Sequence, residues 1–199
     1  MKIAFLFSGQ YRYIDPKLFR YSLNNLVKGI EYSIFSSCWK ETGKSLTISN
    51  EIVETKKLPN IENKIHELFE GFNLKDTSFE SFMSFKENLP SKYKKILNSS
   101  DFHKGTINSL PQIYLINKSY KLLMPFIDEY DLVFRCRYDS LFIHPLKIYD
   151  LNKLKSNKYL YNLNFGRSFN PKRVYDIFFG GSLSATYFMA TIWDDLPEL

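Results

Sequence analysis

The first forty residues constrain the fold most. Two apolar segments, residues 2–8 and 32–37, bracket a segment of helical period. Asp15 suits a helix N-cap and Pro16 the first helical position. Phe19, Leu23, Leu26, Val27 and Ile30 then form one apolar stripe, and Gly29 marks the end. The pattern predicts strand, loop, helix, strand, the opening of an α/β domain.

A second stretch, residues 130–143, reads Tyr-Asp-Leu-Val-Phe-Arg-Cys-Arg-Tyr-Asp-Ser-Leu-Phe-Ile. Its β-prone apolar residues predict one buried strand, yet Arg135, Arg137 and Asp139 interrupt it. Successive strand side chains point to opposite faces, so these three share a face at steps of about 6.6 Å. Leu132, Phe134, Cys136 and Tyr138 line the other. Unpaired buried charge costs several kcal/mol, so the three need partners. One solution is a half-exposed edge strand with a salt-bridge ladder. The other is a strand end opening on a phosphorylated ligand, where arginines meet phosphate oxygens and the aspartate holds a divalent metal.

The chain has 199 residues, enough for one domain with a sizeable core. Its 18 Phe and 14 Tyr predict a ring-rich interior. The net charge of +6 suits an anionic partner. The cations are mostly lysines spread along the chain, which argues against a nucleic-acid stripe. Two cysteines, Cys38 and Cys136, are too few for a disulfide framework and suggest a reducing, cytoplasmic setting. The five-residue apolar run at residues 3–7 falls short of a secretory signal. No stretch approaches the ~20 residues of a membrane span.

Further along, a short strand is expected at Ile52-Val53. A helix capped by Asn60 follows, with Ile61, Ile65, Leu68 and Phe69 on one face. A third strand is expected at residues 72–74. Phe79, Phe82 and Phe85 recur at threefold spacing, as on a short helix. Residues 86–106 carry no clear pattern. A longer helix is expected at 111–124, a strand at 159–163 and a strand at 174–179 closed by Gly180-Gly181. Ser182 or Ser184 then caps a helix at 185–193.

Neither zinc spacing nor a nucleophile elbow is present. The chemistry therefore rests on arginines and carboxylates. Asp139 is one candidate. Asp176 is another, a carboxylate before Ile-Phe-Phe-Gly-Gly-Ser that is costly in so apolar a run unless bound, beside glycines that permit close backbone approach. Arg12, Arg135, Arg137, Arg167 and Arg173 are the cations.

Four segments resemble small bacterial and viral glycosyltransferases of the GT-A fold, of the surface-glycan and polysaccharide-biosynthesis type. These are Phe7-Ser8-Gly9-Gln10-Tyr11-Arg12, a second strand ending at Trp39, the run from Tyr130 to Asp139, and the Asp176-to-Ser182 turn before a helix. The resemblance spans nearly the whole chain, and the third segment is its most specific part. It implies an α/β, Rossmann-like domain with a mixed, mostly parallel central sheet flanked by helices. Residues 1–143 would form the nucleotide-sugar half and 144–199 the acceptor half, completed by residues beyond Leu199 or by a second subunit of a homo-oligomer.

The same resemblance implies transfer of a sugar from a nucleotide-sugar donor to a glycan or lipid-linked acceptor, with room for peripheral membrane association. Ser8, Gly9, Gln10, Arg12, Trp39, Arg135, Arg137 and Asp139 would contact the donor. Asp139 would hold Mn2+ or Mg2+ on the diphosphate, and Asp176 would face the acceptor as general base. The chain departs from the family's Asp-x-Asp pattern, because Arg137 stands two residues before Asp139. Arg137 would then take part of the metal's charge role. That departure also keeps open a non-catalytic nucleotide- or glycan-binding protein on the same fold.

Overall fold

The computed structural model describes residues 1–12, 14–42, 56–98, 106–156, 161–162 and 178–196. In chain order its elements are β1 (Lys2–Gly9), α1 (Pro16–Val27), β2 (Glu31–Trp39), β3 (Glu41–Thr42), β4 (Lys56–Lys57), α2 (Ile61–Leu68) and β5 (Leu74–Glu80). Then come α3 (Phe82–Glu87), α4 (Ser91–Asn98), α5 (Thr106–Leu123) and a 3-10 turn (Met124–Glu129). The remainder is β6 (Leu132–Cys136), α6 (Ile148–Ser156), β7 (Tyr161–Asn162), β8 (Phe178–Ser182) and α7 (Leu183–Asp195).

A six-stranded sheet of order β5-β2-β1-β6-β8-β7 forms the middle layer. β5, β2, β1 and β6 run parallel, while β8 and β7 are antiparallel to their neighbours. The expected mixed, mostly parallel sheet flanked by helices is thus what the chain builds. Alternation divides the core cleanly. Ile3, Phe5 and Phe7 point to a cluster that includes α1, α2 and α6 residues. Ala4 and Leu6 point to a second cluster, with α5 and α7. A third, smaller cluster joins Leu89, Tyr93, Leu110 and Trp193.

Local signals operate at α1 and α7. Asp15 caps α1 by accepting from Leu18 N at 2.9 Å, and Ser182 caps α7 by accepting from Ala185 N at 3.4 Å. Asn60 makes no such side-chain bond; it precedes α2 in the left-handed region, at φ 56°.

Several boundaries differ from expectation. The third strand is β5, so Phe79 belongs to a strand and only Phe82 and Phe85 to a helix. Threefold spacing misled there, because Phe79 packs on the core from β5. α4 fills part of the patternless stretch. α5 starts before Pro111 and carries it internally. The charged strand ends at Cys136, not at residue 143. Chain reversal explains this: Ser140 N donates to the Arg137 carbonyl at 3.3 Å, closing a turn. Beyond it Phe142 is buried, its amide donating to Ser22 Oγ of α1, while Leu141 and Ile143 are exposed. β8 runs through both glycines rather than stopping before them. Gly180 lies opposite Phe134, where an added Cβ would collide with the Phe134 ring and the Val133 carbonyl. Ile52-Val53, residues 159–160 and 163 of one expected strand, residues 174–177 of the next, Arg167, Arg173 and Asp176 lie outside the described residues.

Candidate functional site

From β1 the chain goes through α1 to β2 on one side, whereas β6 joins β1 on the other. The carboxyl ends of β1 and β6 therefore flank the point where strand order reverses, the place where open α/β sheets bind ligands. Phe7 is registered with Cys136, so the loop after β1 and the turn after β6 leave the sheet side by side.

Gly9 begins the divergence. Its φ of 136° is one that side-chain-bearing residues rarely adopt. Past it, Tyr11 turns inward and is buried, while Arg12 turns outward. Arg12 NH1 donates to Asp139 Oδ2 at 3.1 Å, across 127 positions of sequence. Arg137 meets the same carboxylate in a fork, Nε to Oδ1 at 2.8 Å and NH2 to Oδ2 at 2.6 Å. The three side chains are partly open to solvent: Arg12 51%, Arg137 19% and Asp139 25% exposed. Burial pushes the Asp139 carboxyl up, but hydrogen bonds from Arg137 and the charges of Arg137 and Arg12 outweigh it and hold the group below its usual range.

Tyr138 anchors this turn from beneath. Its ring is buried against Phe7 and Phe69. Its hydroxyl donates to the Phe7 carbonyl at 3.2 Å, which leaves Ser36 Oγ, 2.9 Å away, to donate to it. β6 is thereby fastened to the ends of β1 and β2. The sequence pattern set Tyr138 on the face opposite the charges but gave it no role; a tyrosine between charged residues at a strand end was the available signal.

The other candidates are placed differently. Arg135 is only 2% exposed and turned inward, its Nε donating to Ser8 Oγ and its NH2 to the Ser8 carbonyl, both at 3.1 Å. Ser8 and Arg135 thus brace the strand ends internally. The three charges therefore do not share one strand face: Arg135 is buried in β6, while Arg137 and Asp139 belong to the turn after it. Trp39 is 1% exposed. It stacks on Tyr114 of α5 at 5.6 Å and meets Phe82 and Phe85 of α3. It is a core residue there, apart from the Arg12–Asp139 cluster. Gln10 is half-buried in the β1 loop.

The donor set does not fit a divalent cation. Both Asp139 oxygens are engaged by guanidinium groups, and among the described residues no three His, Cys, Asp or Glu side chains gather into a metal-holding group. What the arrangement offers is two guanidiniums against one carboxylate, a locally cationic edge suited to phosphate oxygens.

Comparison with protein-family models finds no match, and comparison with curated proteins finds none either. Among the described residues no helix is long and apolar enough to cross a membrane.

Proposed function

We propose that the chain binds a nucleotide-sugar donor over the carboxyl edge of its sheet and transfers the sugar to a hydroxyl of a glycan or lipid-linked acceptor. One observation carries this reading: Arg12 and Arg137 converge on Asp139 at the topological switch point between β1 and β6. Under it, the two arginines meet the diphosphate, and Asp139 sets their spacing. During transfer the bond from the sugar's anomeric carbon to the diphosphate oxygen breaks, and its electron pair leaves with the diphosphate. Cations waiting there lower the barrier. The acceptor oxygen bonds to the anomeric carbon and yields its proton to a base; Asp176 is the sequence's candidate for that base. Charge compensation in this scheme comes from arginine, with no step through a metal.

The Arg137–Asp139 fork also supports a second reading, binding without turnover, because it occupies the carboxylate that a metal-dependent transferase would need. One experiment separates them. Calorimetry with UDP, GDP and their sugar conjugates, with and without Mn2+, is followed by an assay for released nucleoside diphosphate. Arg12 is half exposed, so Arg12→Ala should fold normally and weaken nucleotide binding at least about tenfold, the scale of one charge-assisted contact. Binding with no release would favour the second reading. Absence of binding by every nucleotide would defeat both.

A further inference from the structure

A cavity of about 240 Å³ lies at the end of β5, on the sheet face that α5 covers, with Glu80, Ser84, Phe85, Asn88, Tyr114 and Trp193 in its wall. It is smaller than the roughly 300–1,000 Å³ of drug-sized sites, so one ring is the scale it suits. β5 is two strands from β1, about 10 Å away across the sheet, so this hollow shares the carboxyl edge with the Arg12–Asp139 cluster but not its residues.

The electrostatics narrow the ligand. Among the described residues, Glu80 is the only charged one in the wall. It is already matched, with Lys118 Nζ at 3.4 Å and the Tyr114 hydroxyl donating to it at 3.2 Å. A cation would therefore have to displace Lys118 from Glu80, and an anion would find no cation among the described residues of the wall to pair with. Neutral groups fare better. The Ser84 hydroxyl and Asn88 amide stand exposed at the mouth as donors and acceptors. Phe85, Tyr114 and Trp193 supply an apolar wall already fixed by mutual packing, Phe85–Tyr114 at 4.8 Å and Tyr114–Trp193 at 5.1 Å between centroids. Tyr93, stacked at 4.3 Å on Trp193 and donating to its carbonyl at 2.6 Å, backs that wall. A preformed hollow with one aromatic side and one polar rim matches a ring bearing hydroxyl groups.

We propose that this cavity binds a neutral, hydroxyl-rich ring of monosaccharide size, at a site separate from the switch-point cluster. The inference does not rest on transferase activity. The chain has two tryptophans; Trp193 lines the cavity and Trp39 packs behind its wall on Phe85 and Tyr114, so the Trp193 indole N–H resonance reports the site directly. Glucose, galactose and N-acetylglucosamine are titrated to about 50 mM, well above a weak millimolar Kd, with choline and glucuronate as charged controls. The expected result is a saturable shift of the Trp193 resonance with at least one neutral sugar. Ser84→Ala and Asn88→Ala, both at exposed positions, should weaken it about fivefold each, the scale of one hydrogen bond. Arg12→Ala should leave it unchanged. No saturable shift with any neutral sugar, equal or tighter binding of a charged control, indifference to both rim variants, or loss of the shift in Arg12→Ala would each overturn the proposal.

Discussion

The Tyr138 hydroxyl joins two strand ends through Phe7 and Ser36, and the Arg137–Asp139 turn rides on that junction. Tyr138→Phe keeps the ring packing but leaves the Phe7 carbonyl without this donor. It should cost about 1 kcal/mol in urea unfolding and also weaken nucleotide binding, since the turn loses its anchor. A purely structural role would move only the first quantity. Asp139 gives a pH test. Its folded pKa lies below its unfolded value of about 3.9. Its contribution is therefore fully present above the unfolded value and is lost as pH falls through the lower folded one. Asp139→Asn should be less stable than the parent at about pH 7, with the gap closing toward about pH 2, where both side chains are neutral. A gap that stayed constant in urea unfolding across that range would mean the carboxylate's charge contributes nothing.

At the scale of elements, β8 owes its place beside β6 to Gly180. No side chain fits between that backbone and Phe134. Gly180→Ala should destabilise by about 1–3 kcal/mol or more through overpacking, whereas an ordinary exposed Gly→Ala is near neutral or stabilising. Ser182→Ala removes the α7 cap and should cost about 1 kcal/mol. Chemical denaturation of the two variants checks both figures. The caps of α1 and α7 and the helical stripes were legible in the sequence because they depend on residues within one turn of each other, whereas Asn60 precedes α2 without a capping bond. β5 was misjudged as helical at Phe79 because aromatic spacing cannot say whether a ring packs from a strand or a helix.

On the scale of the whole molecule, both cysteines are sealed in the core. Burial pushes the Cys38 thiol up to about 12 and raises Cys136 as well. Neither should react with a thiol reagent at pH 8 faster than the native state opens; rapid labelling of the folded chain would contradict the sealed core. The sequence by itself determined the α/β class, the burial of β1 and the caps of α1 and α7, because each follows from short-range periodicity and local hydrogen bonding. Tertiary structure alone decided that Arg12 meets Asp139 across 127 positions, that Arg135 turns inward to Ser8, and that Trp39 is core. Those outcomes depend on which strands become neighbours and where each one ends. Periodicity carries no information about that, because strand order is chosen by burying all helical and sheet faces at once.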